Sequence, residues 1–147
     1  NKIGPDVLEI STKQSRIIID KSKKSKSLIK DFILNQKYMS GIGNIYANEI
    51  LFASRIHPQT KVNALSSNNW EDFFNNTKKI MRLAIKNNGT TLSDMTYFLP
   101  YGEFGSNQNF LKIYSKTNCF NCGHIIDKIY INQRATYFCR KCQKLKN

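Results

Sequence analysis

Gly41-Ile42-Gly43-Asn44-Ile45-Tyr46-Ala47-Asn48-Glu49 is the stretch on which the reading of this chain turns. Two glycines flank one apolar residue, and an asparagine follows at the first position of an expected helix. A helix start leaves backbone N–H groups without intrahelical partners, aimed outward, which makes it a ready site for an anion. Glycines there keep side chains out of the path of a ligand approaching the backbone. With a formal charge of +13 on the chain, the expected anion is a nucleic-acid phosphate.

Outward from that stretch, the sequence predicts mostly helix. Toward the N-terminus, Ser27 precedes Leu28, Ile29, Phe32 and Ile33, whose spacing marks one apolar helical face, and Asn35 to Gly43 breaks it. Earlier still, Asp6 is placed to cap a short helix from near Val7, and the polar, basic run Arg16 to Ser27 reads as a helix end plus linker. Toward the C-terminus, a helix is expected from about Asn44 to Ser54, with Pro58 preventing much continuation. Ser66 to Asn69 offers caps for a longer helix, along which Trp70, Phe73, Phe74, Thr77, Met81 and Ala84 recur at intervals of three or four, with Gly89 as its C-terminal cap. That aromatic stripe fits a core better than a base-stacking platform. Thr90 to Asn109 has weak periodicity and reads as a long loop of the functional kind. Phe110 to Tyr114 reads as a short strand. There is no internal repeat.

The charge sits at the two ends. Eight basic residues lie between Lys13 and Lys37 against Asp20 and Asp31, and eight more from Lys112 onward against Asp127 alone. A positive surface assembled from both ends fits nucleic acid, the rival being a lysine-rich solvated surface. Hydrophobic residues make up 40% of the 147, enough for a core, so wholesale disorder is excluded. No apolar run approaches the roughly 20 residues that span a bilayer, and no membrane partner is expected.

Cys119, Cys122, Cys139 and Cys142 form C-x2-C, sixteen residues, then C-x2-C. Two such turns point four thiolates at one point, the ligand set of one structural Zn2+. Two disulfides would not account for the duplicated spacing. His124 lies beside the first turn but the four thiolates already fill the shell. The intervening Ile125 to Phe138 alternates like a β-hairpin, with Asn132-Gln133-Arg134-Ala135-Thr136 as its turn. Arg134 there can contact phosphate or a base edge through two parallel hydrogen bonds, or merely solvate the turn.

Four motifs occur in one order: Gly41-Ile42-Gly43-Asn44-Ile45-Tyr46-Ala47, Ile56-His57-Pro58, Gly89-Thr90-Thr91-Leu92, and Gln133-Arg134-Ala135-Thr136 before Cys139. Together with the cysteines, they resemble the formamidopyrimidine-DNA glycosylase and endonuclease VIII family over the whole chain, as its C-terminal half. The resemblance implies a mainly α fold: a helix–two-turn–helix DNA-binding domain over residues 1–111, including a lesion-loop segment at about 90–109, then a small β-hairpin zinc finger with four cysteine ligands over 112–147. It implies that Asn44, with Gly43 before it, binds the DNA backbone near the damaged nucleotide. Lys37 and Tyr114 would contact phosphate, and Arg134 would grip the phosphate of the extruded nucleotide. Extrusion costs a few kcal/mol of stacking, which tight phosphate contacts help offset.

The family's nucleophile is an N-terminal proline amine that forms a Schiff base with deoxyribose before β/δ-elimination. This chain opens Asn1-Lys2-Ile3, and Gly4-Pro5-Asp6 resembles the family's interdomain junction, so the segment is expected to hold no catalytic residue and to be inactive alone. Ser115-Lys116 replaces a usual Gly-Arg, and Tyr97-Phe98-Leu99-Pro100-Tyr101 is more aromatic than the family pattern. The expectation is therefore the damaged-DNA-binding portion of a base-excision-repair glycosylase and AP lyase. Its partner is duplex DNA carrying a damaged base, and it acts as an intracellular monomer, in cytoplasm or nucleoid if bacterial. The rival is a non-catalytic nucleic-acid-binding protein with a structural zinc finger. A protein-binding zinc ribbon would leave Gly41 to Asn44 without a use.

Overall fold

Ser11 starts the first helix: its side-chain oxygen accepts from Gln14 N–H (3.1 Å), and the Gln14 side chain accepts from Ser11 N–H in return (3.0 Å). This capping box opens α1 (Thr12–Lys23). The computed structural model describes residues 3–87 and 110–146, and within them α1 is followed by α2 (Ile29–Leu34), α3 (Asn44–Ala53), a 3-10 turn (Val62–Ala64), α4 (Ser67–Lys86), β1 (Asp127–Ile131) and β2 (Arg134–Phe138). The expected Gly89 cap, the Gly89-Thr90-Thr91-Leu92 motif, the lesion-loop segment and its aromatic run lie outside the described residues. Among the described residues no helix is long and apolar enough to cross a membrane.

Three local expectations are corrected. Asp6 caps no helix: its carboxylate accepts from Leu8 N–H (2.9 Å) and its carbonyl from Glu9 N–H (2.9 Å), a tight turn. The helix end expected within Arg16 to Ser27 comes late, because α1 runs to Lys23 and buries Ile18 in the core, and only Lys24 to Ser27 is linker. Phe110 to Tyr114 forms no strand in its described part, since the N–H groups of residues 112–114 are taken by a carboxylate instead of a ladder. The remaining helices fall where periodicity places them. α2 ends at Leu34, α3 begins at Asn44, and Ser66 caps α4 reciprocally with Asn69.

α3 is the centre of the molecule. Every residue from Ile45 to Phe52 is buried, and such a helix is core on all sides. Ile50 and Leu51 join a cluster with Ile29, Phe32, Ile33, Trp70 and Phe73, while Phe52 joins a second one with Ile113, Cys119, Ile126 and Cys139. The aromatic stripe of α4 is core: the Trp70 ring lies 6.1 Å from Phe32, 5.4 Å from Phe73 and 5.6 Å from Phe74.

The β1–β2 hairpin pairs antiparallel from Asp127↔Phe138 to Ile131↔Arg134. Its loop is only Asn132-Gln133, with φ of 48° and 64°. Two positive values are the signature of a type I′ turn, whose twist matches the strands. Arg134 is thus the first residue of β2 and not part of the turn. Residues facing one another across the pair share a face. One face carries Ile129, Ile131, Arg134, Thr136 and Phe138, of which Ile131, Thr136 and Phe138 are buried, with the Phe138 ring 4.3 Å from His57 of the helical part.

Candidate nucleic-acid interface and zinc centre

The approach to α3 is built by Gly41 and Gln36. Gly41 holds φ of 110°, which side chains rarely adopt, and its N–H donates to Gln36 Oε1 at 3.1 Å. The Gln36 amide also reaches the Leu34 carbonyl at 3.2 Å, so the same residue ties the end of α2 to the glycine turn. Gly43 is the N-cap of α3, and no side chain caps this helix start. A Cβ added at Gly43 would meet no heavy atom within 4 Å. The backbone there faces open space.

Asn44 looks two ways. Its Nδ2 donates to the Ala135 carbonyl at 3.1 Å, and its Oδ1 is buried without a hydrogen-bond partner. An amide nitrogen carries two hydrogens, so Ala135 leaves one for an incoming acceptor. Asn48, one turn on, donates to the Asn44 carbonyl (2.8 Å) and to Ala135 (3.4 Å), and accepts from Tyr137 N–H at 2.6 Å. Lys30 of α2 donates to the same Ala135 carbonyl at 3.2 Å and to Thr136 Oγ1. The outer edge of β2 is therefore satisfied by amide and ammonium side chains from α2 and α3, where a sheet would supply another strand. Lys30 is 1% exposed. Burial, then the nearby Arg134 cation, pushes its ammonium down to about 8, against Asp31, which raises it.

Arg134 follows the turn directly and is exposed. With Asp31, Leu34, Asn35 and Asn132 it lines a cleft of about 340 Å³, and Asn132 Nδ2 donates to Asp31 at 2.7 Å to fix the hairpin tip against α2. Hence the structure brings Gly43, Asn44 and the Arg134 strand together across some ninety residues of sequence, with Lys30 beneath them. Lys37 stands apart. It is exposed, and it lines a different hollow with Gly4, Lys21 and Tyr38.

Tyr114 reaches the hairpin by another route. Glu49 of α3 accepts Lys112 N–H on Oε1 (2.8 Å), and Ile113 N–H (3.1 Å) and Tyr114 N–H (2.8 Å) on Oε2. Burial pushes the Glu49 carboxyl above its ordinary value, while those three N–H groups and Lys116 pull it back. The Tyr114 ring meets Tyr137 edge-on at 5.0 Å. Its hydroxyl is pushed up by burial and then by Tyr137.

The four cysteine sulfurs all lie within 4.8 Å of one another, with Cys119–Cys142 at 3.7 Å and Cys122–Cys139 at 3.6 Å. A tetrahedron with Zn–S bonds of about 2.3 Å has edges of about 3.8 Å, so the donor set fits zinc. The same separations are far beyond a disulfide of about 2.05 Å. Burial raises the Cys119 thiol, but knuckle N–H groups and the neighbouring thiols bring it down to about 7, whereas burial pushes Cys139 up and burial with the neighbouring thiols pushes Cys142 up to about 12, so in the absence of metal the cluster retains protons that zinc binding must displace. His124 supplies its carbonyl to Cys119 N–H (2.7 Å) and is no member of the ligand cluster. Gln143, fully buried, accepts Cys139 N–H (2.9 Å) and donates to the Ile56 carbonyl (2.9 Å), locking the second knuckle to the helical part.

A family model described as the formamidopyrimidine-DNA glycosylase H2TH domain matches residues 3–96, and one described as the zinc finger found in FPG and IleRS matches residues 119–145. The chain belongs to the formamidopyrimidine-DNA glycosylase H2TH family. It is 44% identical over 147 residues to the formamidopyrimidine-DNA glycosylase of Mycoplasma genitalium, covering 99% of this chain and 51% of that protein. To the Listeria monocytogenes protein of the same name it is 40% identical, covering 97% and 52%. Its fold is similar to that of Lactococcus lactis Fpg in complex with abasic-site DNA (TM-score 0.83, 32% identity, 97% of this chain and 52% of that one) and with FAPY-dG DNA (TM-score 0.82, 32%, 97% and 51%). The chain spans about half the length of the curated relatives it matches. In this FPG-type zinc finger, the four cysteines hold one structural zinc.

Sequence reasoning missed the residues that join the H2TH part to the finger, Lys30, Asn48, Glu49 and Gln143, and also Gln36, which ties the end of α2 to the glycine turn. For Asn48 and Glu49 a signal existed, as two polar residues side by side in an otherwise apolar helix. Lys30 left none, because a lysine between apolar neighbours reads as a solvated flank.

Proposed function

We propose that this chain is the damaged-DNA-binding half of a bifunctional base-excision-repair glycosylase and AP lyase, with residues 1–111 as its helical part and 112–147 as its finger. The whole protein removes an oxidised base from duplex DNA and cleaves the strand through a Schiff base on an N-terminal proline supplied by the other half. It works as an intracellular monomer away from membranes. One observation carries the reading: Asn44, at an uncapped helix start behind an open Gly43, is bonded at 3.1 Å to the residue next to Arg134. Two donor groups of the kind that hold phosphates are thereby set side by side on a chain of charge +13. The relatives' complexes with abasic-site and FAPY-dG DNA support the same partner class. Tyr114, and Lys37 from its separate hollow, serve as further phosphate contacts.

The test is fluorescence anisotropy of the zinc-loaded chain with a duplex carrying an abasic-site analogue. Arg134→Ala is expected to weaken binding by roughly 1–3 kcal/mol with zinc content unchanged. Unchanged affinity would return Arg134 to a solvated strand end. Borohydride trapping with the full-length protein separates the enzyme from a non-catalytic binder, since only the former leaves a covalent DNA adduct.

A further inference from the structure

α1 turns a cationic side to solvent. Between Thr12 and Ser27 the chain carries Lys13, Arg16, Lys21, Lys23, Lys24 and Lys26 against Asp20 alone, and all six cations are exposed. Among the described residues none of them is in an ion pair. Helix stability accounts for only part of the row. Lys21 and Lys23 lie in the last turn, where a cation complements the helix dipole, but Lys13 lies in the first turn, where it opposes the dipole and no acidic residue answers it. Lys13, Ile17 and Lys21 follow at four-residue spacing and so share one side of the helix. Ile17, between the two lysines, is 46% exposed.

That side adjoins the candidate interface. Asn35, which lines the Arg134 cleft, accepts Lys37 N–H at 3.0 Å. Lys37 in turn lines a hollow of about 180 Å³ together with Gln14, Ile17 and Lys21 of α1. The turn that carries Lys37 thus stands between the Arg134 cleft and α1. From this arrangement we infer that α1 is a flank-binding element: its Lys13–Ile17–Lys21 side, with Lys24 beside it, lies along the backbone of the undamaged duplex next to the lesion. The inference rests on the DNA-binding reading above. Charge complementarity and continuity with the Lys37 hollow argue for it. The lysines supply charge to phosphates and Ile17 supplies apolar contact to sugar, neither of which reads sequence. α1, with its 12 residues, measures about 18 Å. That length matches about five base-pair steps of roughly 3.4 Å, a run of phosphates whose counterions the lysines release.

Salt-dependent anisotropy on the zinc-loaded chain tests it with two kinds of abasic-analogue duplex, one with long flanks and one cut by about five base pairs, at each end in turn. Lys21→Gln/Lys24→Gln is expected to weaken binding to the long duplex about ten-fold and to lower the salt slope by about two. Cutting one of the two ends should cost the native chain about as much, and on that cut duplex the double variant should differ from the native chain by less than about two-fold. Ile17→Ser should weaken binding to the long duplex alone and leave the slope in place. Losses of equal size on long and cut duplexes would overturn the inference, because diffuse attraction to the whole molecule acts on both. No loss on either duplex would also overturn it and, alongside a loss on Arg134→Ala, would leave the DNA-binding reading standing. No duplex binding by the unsubstituted chain would remove both. Each substitution is at an exposed position, and unchanged helical circular dichroism confirms that α1 has kept its fold.

Discussion

Glu49→Gln is the change that most directly tests how the helical part holds the finger. In the native chain one carboxylate accepts three backbone N–H groups, at 2.8, 3.1 and 2.8 Å. Glutamine keeps one acceptor. Set in the Oε2 position, it retains Ile113 and Tyr114 and turns its NH2 toward Lys112 N–H, so one bond is lost and donor faces donor. Bonds to a charged acceptor are worth about 1.5–3 kcal/mol net and those to a neutral one about 0.5–1.5, so the two that remain weaken by about 1 each. The lost bond adds about 1–2, because the exposed Lys112 segment can recruit water. Relief of the buried charge returns part of this, and the net expectation is a loss of about 2 kcal/mol. Amide exchange read by NMR is the direct assay. Protection at Lys112, Ile113 and Tyr114 should fall by about 30-fold, while that of Phe73 and Thr77 in the other core falls less. Glu49→Ala should cost about twice as much. If exchange at the three amides is unchanged in Glu49→Gln, and urea unfolding shifts by less than about 0.5 kcal/mol, the carboxylate is not what holds this segment.

Chelation of zinc should unfold the finger outright, since structural zinc contributes about 10–16 kcal/mol in small fingers, as much as or more than the whole stability of an ordinary domain. Most helical circular dichroism should persist, because the first core contains no cysteine, and loss of helix together with metal would refute that division. Lys30 gives a pH signature. Its folded value of about 8 lies below the ordinary 10.5, so between those values the unfolded chain holds more protons and stability rises with pH. The stability difference between native chain and Lys30→Met, from urea titrations at pH 7.5 and 10, should therefore grow toward the higher pH. A difference independent of pH would mean that Lys30 is not confined beneath Ala135.

The elements most legible in the sequence were those fixed by local chemistry. The α3 start followed from Gly41 and Gly43, the α4 start from its serine cap, and the metal site from paired C-x2-C turns. α1 was misread although Ser11 and Gln14 spell a capping box, because Ile17-Ile18-Ile19 run consecutively and blur the 3.6-residue period. Phe110 to Tyr114 has the apolar alternation of a strand, and only the distant Glu49 carboxylate decides that its N–H groups go elsewhere.

The same limit applies to the candidate site. Asn44 and Arg134 were readable one at a time as polar groups at a helix start and a hairpin end. Their meeting depends on a carbonyl with no sequence signal, Ala135, which takes donors from Lys30, Asn44 and Asn48. A hairpin this small presents an open edge, and an open edge in water would leave its register and tilt loosely set. Capping that edge from α2 and α3 fixes the Arg134 strand against the start of α3, so Lys30 and Asn48 set where the Arg134 side chain stands. A boundary drawn at residue 111 divides the chain by sequence pattern, whereas the hydrogen bonds that place Arg134, Tyr114 and the second zinc knuckle all cross it. Zinc closes the finger on itself, and these side chains settle where the closed finger points.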